Sequence, residues 1–332
     1  MCSNWTRGNR KEDMTLEQIE QAFSSTLWKD IENASISGGE PTTRNDLVDI
    51  ARVMIDKFPK LRKLTLNTTG ITHHRAIPML TKIVQLCNER NVIFSTRVSI
   101  DGVNDMHGQV RNVRNAFEKA GKTIAAMKEL QKTHRFNFGI SSTIFSQNLE
   151  DADNILAWAK KEHLDIVFNM VRFTDAMLGN SELEGKYRPM GVEEQKMRKF
   201  FLDRVRQDPL LDGQNYIYMH YADMIANGYH RTAPCPFMTQ GIMLNPNGDM
   251  FFCENSDVVG NVIKEDPEAI YFRDDAQAHR RHIRDQKCPS CLSPCQMNVA
   301  AIKQVVPYAR FLVRASMEKR RAGTPVAAAS PA

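Results

Sequence analysis

The chain has 332 residues, 42% apolar and 25% charged, the proportions of one large or two ordinary globular domains, which excludes overall disorder and fibrous repeats. Its 44 basic and 39 acidic residues leave a net charge of +5, a mild excess with no basic stripe, so no nucleic-acid partner is expected. No stretch approaches the roughly 18 apolar residues of a spanning helix, and residues 1–13 carry no apolar block of a signal peptide; no membrane association and a cytoplasmic location are the expectations.

In chain order, residues 15–33 read as a helix with Thr15 as N-cap. Residues 34–37 read as a short strand running into Gly38-Gly39. A helix over 43–57 follows, then a strand over 61–67 closed by Thr68-Thr69-Gly70. Residues 76–88 are helical, interrupted early by Pro78. Residues 92–100 form a strand ending in Asp101-Gly102, and 110–131 a helix broken near Gly121. A strand over 136–145, a helix over 149–162 and a strand over 166–171 complete the series. Such alternation argues a parallel sheet wrapped by helices, with a barrel-like arrangement, open or closed.

The regularity stops near Phe173. Residues 192–206 are helical again. The run Tyr216, Tyr218, His220, Tyr221, Asp223 reads either as a pocket lining or as an amphipathic surface, the surface being favoured. Arg273 to Arg284, with His279, Arg280, Arg281 and His282, reads as a solvated helix face. Residues 322–332 read as a disordered tail.

Two constellations carry chemistry. Ser37-Gly38-Gly39-Glu40-Pro41 sits at the C-terminal end of a strand, where parallel α/β folds place ligands. Its glycines let a ligand approach the backbone, and Glu40 adds a carboxylate. The second is cysteine. There are seven, an odd number without a secretory signal, so clustered thiols point to metal rather than disulfides. Cys87 lies in an apolar helical pattern and reads as buried. Asn247-Gly248 predicts a two-residue hairpin that pairs Ile242 with Cys253 and brings Cys235 to the same open end. Cys288-x2-Cys291 adds a chelating pair, and Cys295 a fifth sulfur. Zinc and iron–sulfur both take four thiolates, and spacing does not separate them.

Taken together the motifs resemble the radical S-adenosylmethionine (radical SAM) superfamily. Ser37 to Pro41 resembles its GGEP motif. Leu66-Asn67-Thr68-Thr69-Gly70 resembles its third-strand turn. Val98-Ser99-Ile100-Asp101-Gly102, with His107 and Arg111, resembles its fourth-strand run. Cys235, Gly248-x4-Cys253 and Cys288-x2-Cys291 resemble the SPASM/twitch extension. The resemblance covers residues 2 to about 297. It departs in two places. Of the CxxxCxxC motif only Cys2 is present, which reads as a chain starting downstream of the first strand. The five C-terminal cysteines suit a one-cluster twitch region better than a full SPASM region.

The resemblance implies an α/β fold, a partial (β/α)6 barrel without its first strand, followed by a small cysteine-rich α+β extension. The implied segments are 1–173 as barrel core, 174–232 as a connecting, substrate-covering part, 233–300 as the iron–sulfur extension and 301–321 as a C-terminal helix. It implies S-adenosyl-L-methionine and two [4Fe–4S] clusters, one at the SAM site with an incomplete ligand set (Cys2) and one auxiliary. Gly38, Gly39 and Glu40 would take the SAM ammonium, Arg111 its carboxylate, and Ser99 and Asn67 the ribose or methionine part. Cys235, Cys253, Cys288 and Cys291, or Cys295 in place of one, would hold the auxiliary cluster. The implied activity is reductive SAM cleavage and hydrogen abstraction from a peptide or small sugar-like substrate, with a flavodoxin- or ferredoxin-like reductant. One thiolate cannot hold a [4Fe–4S] cluster, so the chain as written is expected not to turn SAM over. The alternatives are an inactive barrel with a structural thiolate-bound metal, acting as a scaffold, and an unrelated zinc ribbon.

Overall fold

A computed structural model describes residues 12–174, 178–293 and 305–323. Thr15 does cap the first helix, α1 (Leu16–Ala22), through a capping box with Gln18; the helix ends early and a 3-10 turn follows. Five strands then alternate with helices: β1 (Asn33–Ile36), α2 (Leu47–Lys57), β2 (Lys63–Thr68), α3 (His73–Glu89), β3 (Ile93–Ser99), α4 (Asp105–Arg111), α5 (Ala116–Leu130), β4 (Asn137–Ile144), α6 (Ala152–Lys161) and β5 (Asp165–Met170). All five strands are parallel, in the order β1-β2-β3-β4-β5. The sheet is open, not closed into a barrel.

Alternation along the strands explains which face is covered. Leu64, Leu66 and Phe94 point to one side and pack on Leu47, Ala51, Leu80 and Ile83 of α2 and α3. Farther along the sheet, Ile140, Ile144 and Phe168 join Ile155 of α6 in a second core. Pro78 lies within α3 without ending it. The helix expected over 110–131 is two helices, and the break is not at Gly121, which is inside α5. It falls at Asn112 and Asn115, both left-handed. Asparagine tolerates that conformation better than other side-chain-bearing residues.

Three further helices follow: α7 (Glu184–Tyr187), α8 (Val192–Gln207) and α9 (Gly213–Ala226). The polar-aromatic run on α9 is core, neither pocket nor surface. Tyr216, Tyr218, His220 and Tyr221 are buried, and the Tyr218 hydroxyl accepts from the Phe168 N–H at 3.0 Å. Burial pushes the His220 imidazole down to about 3, so it sits neutral. Asp223 turns outward and pairs with Arg314.

The extension holds a small antiparallel sheet of β6 (Met243–Leu244), β7 (Asp249–Phe251) and β8 (Gly260–Asn261), then α10 (Pro267–Phe272) and α11 (Asp274–Gln286). A last helix, α12 (Val305–Arg321), returns to pack on α8 and α9. The extension core of Met250, Phe252, Val259 and Ile270 closes on Met14 and on Ile19 of α1. The hairpin register differs from the two-residue turn expected. Met243 faces Phe251 and Leu244 faces Met250, which places Ile242 opposite Phe252 rather than Cys253. The loop has three residues, Pro246-Asn247-Gly248, because the Asn245 N–H bonds to the Asp249 carbonyl at 2.9 Å and Gly248 takes φ +87°, the glycine position of a bulged three-residue hairpin. A Cβ at Gly248 would also meet Ile263 at 2.9 Å. Gly248→Ala should therefore cost about 1–2 kcal/mol, read as a lowered denaturation midpoint; an unchanged midpoint would refute this turn geometry.

Candidate cofactor site and cysteine cavity

The other face of the sheet is polar apart from Ile93 and Val167. Register and alternation bring Ser35, Thr65, Asn67, Ser95, Arg97, Ser99, Ser141, Thr143 and Asn169 onto it. Parallel sheets ordinarily bury both faces in apolar contacts, so a hydroxyl- and amide-lined face is a place for a polar ligand. Of this set the sequence reading named Asn67 and Ser99 only. Arg97 bridges to Asp165 at 2.5 Å and passes over Gly139. A Cβ there would meet the Asp165 carbonyl at 2.5 Å and the Arg97 guanidinium at 2.8 Å.

The Gly-Gly segment lies at the C-terminal end of β1. Ser37, Gly38 and Gly39 are exposed. A Cβ placed on Gly38 or Gly39 would meet no atom within 4 Å, and Gly38 takes φ +147°, a conformation few L-residues accept. The loop therefore presents bare backbone to open space, a cradle that side chains would fill.

Glu40 faces inward from this loop as a clasp. Its Oε1 accepts from the Thr42 N–H at 3.1 Å, the Thr42 hydroxyl at 2.7 Å and the Thr68 hydroxyl at 2.8 Å. Its Oε2 accepts from the Thr69 N–H at 2.7 Å and the Thr69 hydroxyl at 2.6 Å. These donors serve the carboxylate without an external cation, and they tie the end of β1 to the end of β2.

The β3 end carries a second network. Asp101 is buried. Its carboxylate accepts from the Thr143 N–H at 2.8 Å and pairs with the Arg111 guanidinium at 2.6 Å. Its own N–H donates to His107 Nδ1 at 3.1 Å. The buried His107 is held down at about 4 by desolvation, against the pull of Asp101, and is a neutral structural acceptor. Arg111 thus stands anchored beside the open strand ends, with a buried Nε that has no partner among the described residues.

The four cysteines of the extension, Cys235, Cys253, Cys288 and Cys291, line one cavity. Cys288 and Cys291 flank a 3-10 turn at the end of α11. The Cys291 sulfur accepts from the Asn255 side-chain amide at 3.2 Å and the Ser293 N–H at 3.4 Å. Burial pushes the Cys253 thiol up to about 12 and Cys288 up to about 11, with the neighbouring cysteines adding to both. Among the described residues no three Cys, His, Asp or Glu side chains close on the point a single ion would occupy; the thiols ring a space instead. Glu254 joins the wall and reaches back to Arg172, just past the end of β5, at 2.5 Å. The cavity is thereby fixed to the C-terminal edge of the sheet. Arg280, read from sequence as part of a solvated face, is buried against the cavity. It shares the side of α11 that carries Ala276 and Ile283, the spacing that marks it as inward. Cys2 and Cys295 lie outside the described residues. Cys87 is buried in the core behind the sheet.

Residues 1–159 match the sequence model of the radical SAM superfamily. Residues 1–159 belong to the radical SAM superfamily. The chain is also 32% identical over 127 residues to the AdoMet-dependent heme synthase of Methanosarcina barkeri (strain Fusaro / DSM 804), a match covering 38% of this chain and 32% of that protein. The chain thus spans about a third of the curated relative's length. Among solved structures, native anSMEcpe with bound AdoMet superposes with a TM-score of 0.57 at 14% identity, covering 92% of this chain and 91% of the other. Streptococcus suis SuiB bound to S-adenosylmethionine gives 0.50 at 15% identity, covering 89% and 68%. At these identities the likeness is one of fold, an open α/β radical SAM sheet followed by an extension. Among the described residues no helix is long and apolar enough to cross a membrane.

Proposed function

We propose that this chain supplies the SAM site and auxiliary-cluster site of a radical SAM enzyme acting on a peptide or small sugar-like molecule. The observation that carries the reading is the bare Gly38-Gly39 backbone opening onto a polar sheet face. The residues fit SAM. Gly38 and Gly39 carbonyls take the ammonium, with Glu40 holding their loop in place. Arg111 offers its unpartnered Nε to the carboxylate, its fork oriented by Asp101. Asn67 and Ser99 face the ribose or methionine part. The chemistry that the bound cofactors supply is one-electron cleavage of the SAM sulfonium and hydrogen-atom abstraction from substrate. Cys235, Cys253, Cys288 and Cys291 fit an auxiliary [4Fe–4S] cluster, since the four thiols line one cavity without three of them closing on a single-ion point. A peptide substrate is supported by a solved anSMEcpe structure that carries bound AdoMet and a peptide. A flavodoxin- or ferredoxin-like reductant completes the reading.

Gly39→Val separates this site from a merely structural turn. Its side chain enters open space, so the fold should be kept, while SAM affinity measured by equilibrium dialysis should fall at least tenfold. Unchanged affinity with an unchanged melt would remove the loop from the site.

A further inference from the structure

The wall of the cysteine cavity carries two positive charges that no described residue balances. Arg280 is buried. Its guanidinium stacks on Phe252 at 4.7 Å and Tyr271 at 5.3 Å, and it donates to the Tyr271 hydroxyl at 2.6 Å and the Phe237 carbonyl at 3.2 Å. Arg231 donates to the carbonyls of Ala233 at 2.6 Å and Ser293 at 2.8 Å. Every partner of both is neutral. Among the described residues neither has an ion-pair partner, whereas Glu254 on the same wall is neutralised by Arg172. The segments outside the described residues contain one acidic side chain, Asp175. Each guanidinium also keeps a buried N–H without an acceptor, Nη2 of Arg231 and Nε of Arg280. Arg280 is buried and Arg231 half-buried; withdrawing unpaired cations from water is costly, and two of them against one cavity call for an anion inside it.

We propose that Arg231 and Arg280 are the built-in counter-charges of a dianionic thiolate-ligated centre in this cavity. The inference rests on the auxiliary-cluster reading. An oxidised [4Fe–4S] core of charge 2+ bound by four thiolates carries 2−, which the two guanidiniums match, and their spare N–H groups are donors for its sulfurs. One-electron reduction takes the centre to 3−. Nearby cations favour that state, so the pair raises the reduction potential.

The experiment uses the full chain reconstituted anaerobically with iron and sulfide, as wild type, Arg231→Met, Arg280→Met, Arg280→Lys and Cys253→Ala. Iron and sulfide are counted first. The signal that Cys253→Ala abolishes is then followed by electron paramagnetic resonance during a mediated dithionite titration. Each Met variant should load iron and become harder to reduce, the reduced-to-oxidised ratio at fixed potential falling about tenfold, equivalent to about 59 mV for one electron. Arg280→Lys keeps the charge and should stay near wild type. If one Met variant fails to fold, the other decides. A loaded wild type whose Met variants keep its potential would overturn the counter-charge role and leave the cluster reading standing. A wild type that takes up no iron would overturn both.

Discussion

Cys253→Ala is expected to strip the reconstituted protein of its C-terminal cluster, lowering bound iron by about four atoms per chain and removing the associated visible absorbance. Cys253 stands two residues past the register-shifted hairpin strand, beside Glu254, which is anchored to the sheet through Arg172. Its thiol is half-buried, and desolvation pushes it up to about 12, so in the metal-free chain it is neutral. Only a metal centre would draw the thiolate out. Cys87 provides the control. It is as strongly shifted, to about 12, by burial alone, but it lies in the core of β2, β3 and α3. Cys87→Ala should leave the iron count unchanged and cost some packing energy. Full iron retention by Cys253→Ala would show that the four-thiol set is wrong and direct attention to Cys295. Stoichiometric zinc in place of iron in the wild type would reject the cluster itself.

The sheet was legible in the sequence because its outer face is apolar and its turns are marked by glycine and threonine at regular intervals. The inner face was not. Ser35, Thr65, Ser95, Ser141 and Thr143 look like ordinary polar positions until the register stacks them side by side on one surface. Two local signals misled for physical reasons. Gly121 suggests a helix break, yet a glycine with open space around it is tolerated inside α5, and the left-handed Asn112 and Asn115 make the break. Asn247-Gly248 suggests a two-residue turn, and one added loop residue shifts every pairing after it. Charge pattern hid Arg280, since an arginine on the apolar stripe of a charged helix looks exposed until the cavity behind it is seen. The cysteine set was legible because chelating spacing survives in sequence, although the convergence of Cys235 and Cys253 with the Cys288-Cys291 pair is a property of the fold.

Glu40→Ala should lower the stability of the sheet edge by about 2–4 kcal/mol, a discounted total for a half-buried carboxylate whose charge-assisted bonds are individually worth about 1.5–3 kcal/mol and do not add. The reason lies in what the side chain leaves behind. Thr68, Thr69 and Thr42 would each lose an acceptor, and β1 would lose its tie to β2 beyond their last paired residues, Ile36 and Leu66. Glu40→Gln is the finer probe. An amide keeps one acceptor oxygen, but its NH2 must face donors on the other side, whichever way it is turned. It should therefore cost a large part of the same stability while preserving shape. The site reading adds a second expectation. The loop that Glu40 holds is the loop whose backbone would meet the SAM ammonium, so below the melting transition the Gln variant should bind SAM more weakly. Denaturant melts and SAM titrations on the same samples separate the effects. A melt unchanged in Glu40→Ala would break the clasp argument. A lowered melt with wild-type SAM affinity would keep Glu40 as a structural clasp and leave the ammonium to the glycine backbone alone.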